Sequence, residues 1–131
     1  MPARCAFEYA VVRVVPRVER DEFVNAGVVL FADAAAFLAA RIELDEARLL
    51  AIAPGADAEL ARRHLDALAR VCEGGPGAGP IGRLSPRERF RWIVAPRSTI
   101  VQTSPPHAGL CDDPARALDR LVSELVRAPR P

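Results

Sequence analysis

Two apolar runs, FEYAVVRVV (residues 7–15) and FVNAGVVLF (23–31), are separated only by the charged, turn-like PRVERDE, and this arrangement constrains the fold more than any other feature. β-Branched and aromatic residues at that density favour extended backbone, and a strand apolar on both faces must be covered on both faces. The pair predicts the central hairpin of a sheet. A symmetric turn centred on Glu19 sets Val15 opposite Phe23, Arg13 opposite Asn25 and Phe7 opposite Phe31, because antiparallel partners have a constant sum of positions. Asn25-Ala26-Gly27 interrupts the second run, and a Gly inside a strand marks a bulge or the close approach of another backbone.

The remainder alternates in type. FLAARIE (37–43) predicts a third strand after a turn at Ala32 to Ala36, although its alanines also suit a helix. DEARLLAIA (45–53) and ADAELARRHLDALARVC (56–72) predict a helical pair split at Pro54-Gly55, with Asp57 as an N-cap and Leu60, Ala61, Leu65, Leu68 and Cys72 along one face. GGPGAGPIG (74–82) opposes helix and strand alike and predicts a loop. Ser85, Pro86 and Glu88 form a capping-box start for a helix to about Ala95 that buries Phe90, Ile93 and Val94. STIVQT (98–103) has strand composition. After a polar loop in which Gly109 permits a positive φ, Asp113 caps and Pro114 opens a last helix, with Leu118, Leu121, Val122, Leu125 and Val126 at helical spacing. These elements predict one α+β domain over residues 1–131, with a mostly antiparallel sheet, an N-terminal hairpin, central helices and an amphipathic C-terminal helix.

A chain of 131 residues, half of them apolar, can bury one core without disulfide or metal. The net charge of +1 supplies no global field for phosphate backbones, so nucleic-acid binding is disfavoured. All 18 basic residues are Arg, which GC-rich codon usage explains as readily as anion recognition. Cys5, Cys72 and Cys111 lie far apart and fit neither a zinc ribbon nor a secreted disulfide framework, which predicts reduced thiols. No run approaches a membrane span, and the opening has no apolar signal region. The expectation is a soluble, cytoplasmic protein with no membrane partner.

Arg13 interrupts an otherwise apolar strand. A buried guanidinium needs a partner, which is either Glu19, Glu22 or another internal carboxylate, or an anionic ligand. Residues 96–114, PRSTIVQTSPPHAGLCDDP, are dense in hydrogen-bonding groups, among them Arg97, Gln102 and His107. Upstream, Arg83, Arg87, Arg89 and Arg91 join Arg97 with only Glu88 between them, a basic patch suited to an acidic surface or a phosphate. Trp92, among these arginines, is an interface anchor, a core residue or a stacking platform. A catalytic pair of His107 and Cys111 lacks a third group and an oxyanion hole, since Asp113 serves as a cap. A metal site from His107, Cys111 and Asp112 matches no ligand spacing, and no cofactor is implied. His64 reads as a packed or surface histidine.

VPRVERDEFVNAGVVLF (15–31), together with Tyr9 to Arg13, resembles the opening of a bacterial family called domain of unknown function 3037. The matching positions are Glu19, Arg20, Glu22, Phe23, Asn25, Gly27, Val28, Val29 and Leu30. GPIGRLSPRERFRWIVAPRSTIVQTSPPHAGLCDDP (79–114) resembles its second signature, with APRS, Q-x-SP, H-x-GL and DDP elements. The family has no assigned activity. Its genes often sit beside one for a HipA-like kinase, so the resemblance implies a partner or regulator of such a kinase.

Two functions follow as expectations. One is a non-enzymatic interaction domain that docks through Arg87, Arg89, Arg91, Arg97 and the loop after them. The other is a small enzyme or ligand-binding protein, in which Arg13, Asn25, Arg97, Gln102 and His107 converge on an anionic metabolite or nucleotide.

Overall fold

A computed structural model describes residues 4–129. The two apolar runs form β1 (Cys5–Val14) and β2 (Val24–Ala32), and β3 (Phe37–Ile42) follows after a single turn of 3-10 helix over Asp33–Ala35. Next come α1 (Glu46–Ile52) and α2 (Ala58–Glu73), started by the side chains of Asp45 and Asp57, which accept from Arg48 N–H and Leu60 N–H. α3 (Pro86–Val94) begins with the expected capping box of Ser85 and Glu88. β4 (Val101–Thr103) and β5 (His107–Cys111) lead into α4 (Pro114–Leu125), capped by Asp113 as its spacing predicts. The architecture is the expected α+β domain, and among the described residues no helix is long and apolar enough to cross a membrane.

The antiparallel sheet has the order β3-β2-β1-β4. β5 also pairs with β1, and because β2 occupies the opposite edge, β4 and β5 lie end to end along one side of β1. Successive strand side chains alternate in direction, so β1 divides its residues between two cores. Ala10, Val12 and Val14 join Val29, Phe31, Leu49, Leu65, Phe90 and Ile93 beneath α1, α2 and α3. Phe7, with Val28 and Leu30 of β2, packs against Leu118, Leu121 and Val122 of α4. Coverage on both faces is what the two apolar runs require.

The hairpin register agrees with the sequence at Arg13↔Asn25 and departs beyond it. Val12 opposes Gly27 and Glu8, not Phe7, opposes Phe31, because Ala26 is an extra residue in β2. This bulge inverts the facing of β2, placing Asn25, Val28 and Leu30 on the α4 side and Val24, Ala26 and Val29 on the other. At Gly27 a Cβ would stand 2.5 Å from Arg41 O, so β3 can lie this close only to a residue without a side chain.

Four further expectations are corrected. Residues 76–83 coil into 3-10 turns broken at Gly79, not an irregular loop. The strand expected over 98–103 is confined to 101–103. The expected loop after it contains β5, and Gly109 there is extended: it opposes Phe7, whose ring fills the place of a Cβ, 2.6 Å from where that atom would stand.

Candidate functional site

Pro105 and Pro106 interrupt the edge formed by β4 and β5, since neither can donate to a ladder. Ser104 repairs the break. Its N–H donates to Val11 O at 2.9 Å, and its hydroxyl accepts from Val11 N–H at 2.9 Å while donating to Pro105 O at 3.0 Å. The proline-rich segment therefore stays docked on β1, which holds Gln102 beside Arg13 as its direct cross-strand partner. Since directly opposed residues share a face, Asn25, Arg13 and Gln102 form one row across three strands on the α4 side.

Within this row Asn25 Nδ2 donates to Leu125 O at 2.9 Å, and Arg48 Nη1 donates to Val126 O at 2.9 Å, so both cap the end of α4. Asn25 Oδ1 and Arg13 Nε are buried without a hydrogen-bond partner among the described residues. The carboxylate partners expected for Arg13 are engaged elsewhere: Glu19 with Arg17 and Glu22 with Arg20. The Arg13 guanidinium instead lies 4.2 Å from the centroid of the Phe23 ring, itself 40% exposed. The sequence marks Phe23 as a strand residue and a family-matching position but not as a site residue, because only the fold of the hairpin turns it back over Arg13.

Arg97, just beyond the end of α3, repeats this arrangement. Its guanidinium sits 4.6 Å from the ring of Trp92, which is 39% exposed, and donates to the carbonyl oxygens of Trp92 and Ala95 at the helix end. Of the three roles open to Trp92, the structure shows the stacking platform. Arg97 and Gln102 line one cleft of about 330 Å³ between the end of α3 and the proline turn, together with Val94, Thr103 and Ser104. Gln102, whose Nε2 donates to Thr99 O at 2.8 Å, is thus the cross-strand partner of Arg13 and lines the same cleft as Arg97. Neither arginine has a carboxylate within ion-pair distance among the described residues.

The remaining candidates separate. Arg89 does not belong to an exposed patch: only 9% exposed, it donates to Val71 O at 2.9 Å, Cys72 O at 2.7 Å and Leu84 O at 3.1 Å, closing the C-terminus of α2. Helical spacing turns it inward, between Phe90 and the end of α2. Arg87 pairs with Asp33 at 2.5 Å, and Arg91 approaches Glu8 at 4.0 Å. His107 shares the sheet face of Arg13 through its partner Tyr9, with ring centroids 5.3 Å apart, but it does not line the Arg97 cleft. The two ends of the chain meet, as the converging-site expectation requires, yet that cleft gathers only Arg97 and Gln102 of the five residues. A second cleft of about 450 Å³ between the β1–β2 turn and the α1–α2 turn contains none of them.

His107 and Cys111 stand at opposite ends of β5, four positions apart in a strand, which separates them as base and nucleophile. Among the described residues no group of three or more His, Cys, Asp or Glu side chains is placed to hold a metal ion.

The family model described as a protein of unknown function, DUF3037, matches residues 9–126. The chain belongs to the DUF3037 family. The match runs from β1 through α4 and so includes both Arg–aromatic stacks, the Ser104 bridge and the caps of every α-helix. No curated protein and no solved structure matches this DUF3037 chain.

Proposed function

We propose that this DUF3037 protein is a non-enzymatic binding module that docks an acidic surface of a partner protein, the partner being a HipA-like kinase. The carrying observation is the pair of guanidiniums, Arg13 on Phe23 and Arg97 on Trp92, the first opposite Gln102 in the sheet and the second in the cleft that Gln102 lines, both without carboxylate partners among the described residues. Stacking on a half-exposed ring holds a guanidinium in a fixed plane, and the N–H groups not used inside the fold, for Arg97 those other than the donors to Trp92 O and Ala95 O, are left to an incoming carboxylate. Arg and Trp are enriched where interfaces concentrate their binding energy. Arg91, one residue before Trp92, meets Glu8 only at the 4.0 Å limit of an ion pair and extends the charge, whereas Arg89 is excluded and Arg87 is closely paired with Asp33. The kinase as partner comes from the family resemblance. The acidic character of the docked surface comes from the geometry.

A second reading, binding of a small anionic metabolite or nucleotide, has one observation in its favour: the cleft at Arg97 and Gln102 is large enough for a phosphate-bearing fragment. Co-elution with a kinase of this type, followed by titration calorimetry with Arg13→Glu and Arg97→Glu, separates the two. The docking reading expects a complex with the intact protein, weakened tenfold or more by either reversal. No complex with the intact protein overturns it. A thermal shift with nucleoside phosphates that is lost in Arg97→Glu supports the second reading instead.

A further inference from the structure

Cys5 and Cys111 are the terminal partners of the β1–β5 ladder, directly opposed although nearly the whole chain separates them in sequence. Directly opposed antiparallel residues have Cα atoms about 4.5–5.5 Å apart, inside the span that a disulfide bridges. Both side chains point to the same side, since both pack at the margin of the α4 core, and both thiols are free and partly buried. Spacing along the chain could not show this pairing, because it depends on β5 being a strand. Cys111 also lines an open cleft of about 370 Å³ with Arg4, Asp112, Arg116 and Arg120, so a small reagent reaches its sulfur without unfolding.

We propose that Cys5 and Cys111 form a reversible intramolecular disulfide, making the β1–β5 junction a modification site for hydroperoxides. A hydroperoxide oxidises one thiolate to a sulfenic acid as its O–O bond breaks, releasing water or an alcohol. The second thiol then attacks the sulfenic sulfur, the S–S bond forms, and the displaced hydroxide leaves as water with the thiol proton. In sum, two thiols lose two electrons and two protons, and the peroxide gains them. A dithiol of the cellular reductant class returns the pair to thiols by exchange.

The surroundings set the pace. Partial burial, the adjacent Cys5 thiol and the carboxylates of Asp112 and Asp113 push the Cys111 thiol up, and Arg120 on α4 acts in the other direction. Arg116 and Arg4 are the other charged groups lining its cleft. Since the thiolate is the reacting form, oxidation is slow at neutral pH and accelerates as pH rises into the alkaline range. Cys72 is an internal control: it is buried, and loss of solvation pushes its thiol up to about 12. This site is independent of the proposed docking surface and stands or falls without it.

The test treats the folded, reduced protein with hydrogen peroxide, quenches with an alkylating agent, and maps the peptides. The expected result is an intact mass lower by two hydrogen atoms, a linked Cys5–Cys111 peptide, a monomer on a non-reducing gel and Cys72 alkylated only after unfolding. Because the bond closes a loop of roughly 100 residues, the melting temperature should rise by about 5 °C or more and return on reduction. Cys72→Ala should show the same mass change and the same shift on oxidation as the parent, and Cys5→Ser should lose both. Peptide mapping of the parent needs no variant, so poor folding of Cys5→Ser leaves the test intact. Links through Cys72, disulfide-bonded dimers, over-oxidation of Cys111 with no link, or both thiols still open to alkylation would each overturn the proposal.

Discussion

The hydroxyl of Ser104 accepts a hydrogen bond from the backbone N–H of Val11 at 2.9 Å, across 93 positions of sequence. It replaces the carbonyl that a continuous edge strand would present, at the point where Pro105 and Pro106 bend the edge away. Ser104 is only 3% exposed, so the bond is shielded from bulk solvent. Ser104→Ala should therefore cost about 1–3 kcal/mol in denaturant unfolding, the usual penalty for a buried donor left unmade. Ser104→Thr, which retains the hydroxyl, should recover part of that loss.

Arg89 should behave as a residue of the fold and not of an interface. Arg89→Ala leaves the carbonyls of Val71, Cys72 and Leu84 without their donor and should destabilise the protein by about 2–4 kcal/mol. Arg89→Lys should restore less than half of this, because an ammonium cannot reach three carbonyls with a planar fork. Arg87→Ala, which removes an exposed pair with Asp33, should change stability by no more than about 0.5 kcal/mol. Thermal unfolding of the three variants side by side checks the ranking. Charge reversal of the whole 87–91 segment would test folding before it tested docking.

Gly27→Ala places a Cβ 2.5 Å from Arg41 O and 2.8 Å from Ile42 Cδ1, and only movement of β3 relieves the backbone contact. A loss of about 2 kcal/mol or more is expected. Gly55→Ala, where a Cβ meets nothing within 4 Å, should be neutral or stabilising by less than about 1 kcal/mol. Urea unfolding of both variants separates a steric requirement from a general dislike of the substitution.

Alkaline stability should carry the signature of Cys72. Burial raises its folded pKa from the ordinary 9.0 to about 12, so between those values the unfolded chain releases a proton that the folded protein keeps. The contribution is complete below about pH 9 and is lost as pH climbs toward 12. Cys72→Ala should flatten the fall of stability between about pH 9 and pH 11, measured as the slope against pH so that the small cavity it creates does not enter.

What could be read directly from the residues is what neighbours in sequence decide. Asp57, Ser85 with Glu88, and Asp113 start their helices with partners no more than three positions away. The hairpin and the buried stripe of α4 follow from periodicities of two and 3.6, which need no knowledge of the partner surface. The bulge at Asn25-Ala26-Gly27 was visible as a glycine out of place, but its effect on register was not, because the count of residues on each side of a turn does not reveal which one is extra.

Tertiary structure alone decided the rest. HAGLC lacks the alternation of a strand and follows two prolines, yet it is β5 because the free edge of β1 supplies the hydrogen bonds its own composition does not demand. Arg89 looks like its exposed neighbours in the sequence and is buried because α2 ends beside it. The pairing of Arg13 with Gln102, which brings the Arg13–Phe23 stack toward the Arg97 cleft, and the meeting of Cys5 with Cys111 both require two ends of the chain to become adjacent strands. Local propensity is a property of a few consecutive residues. A site is a property of distances between segments, which only the closed fold supplies.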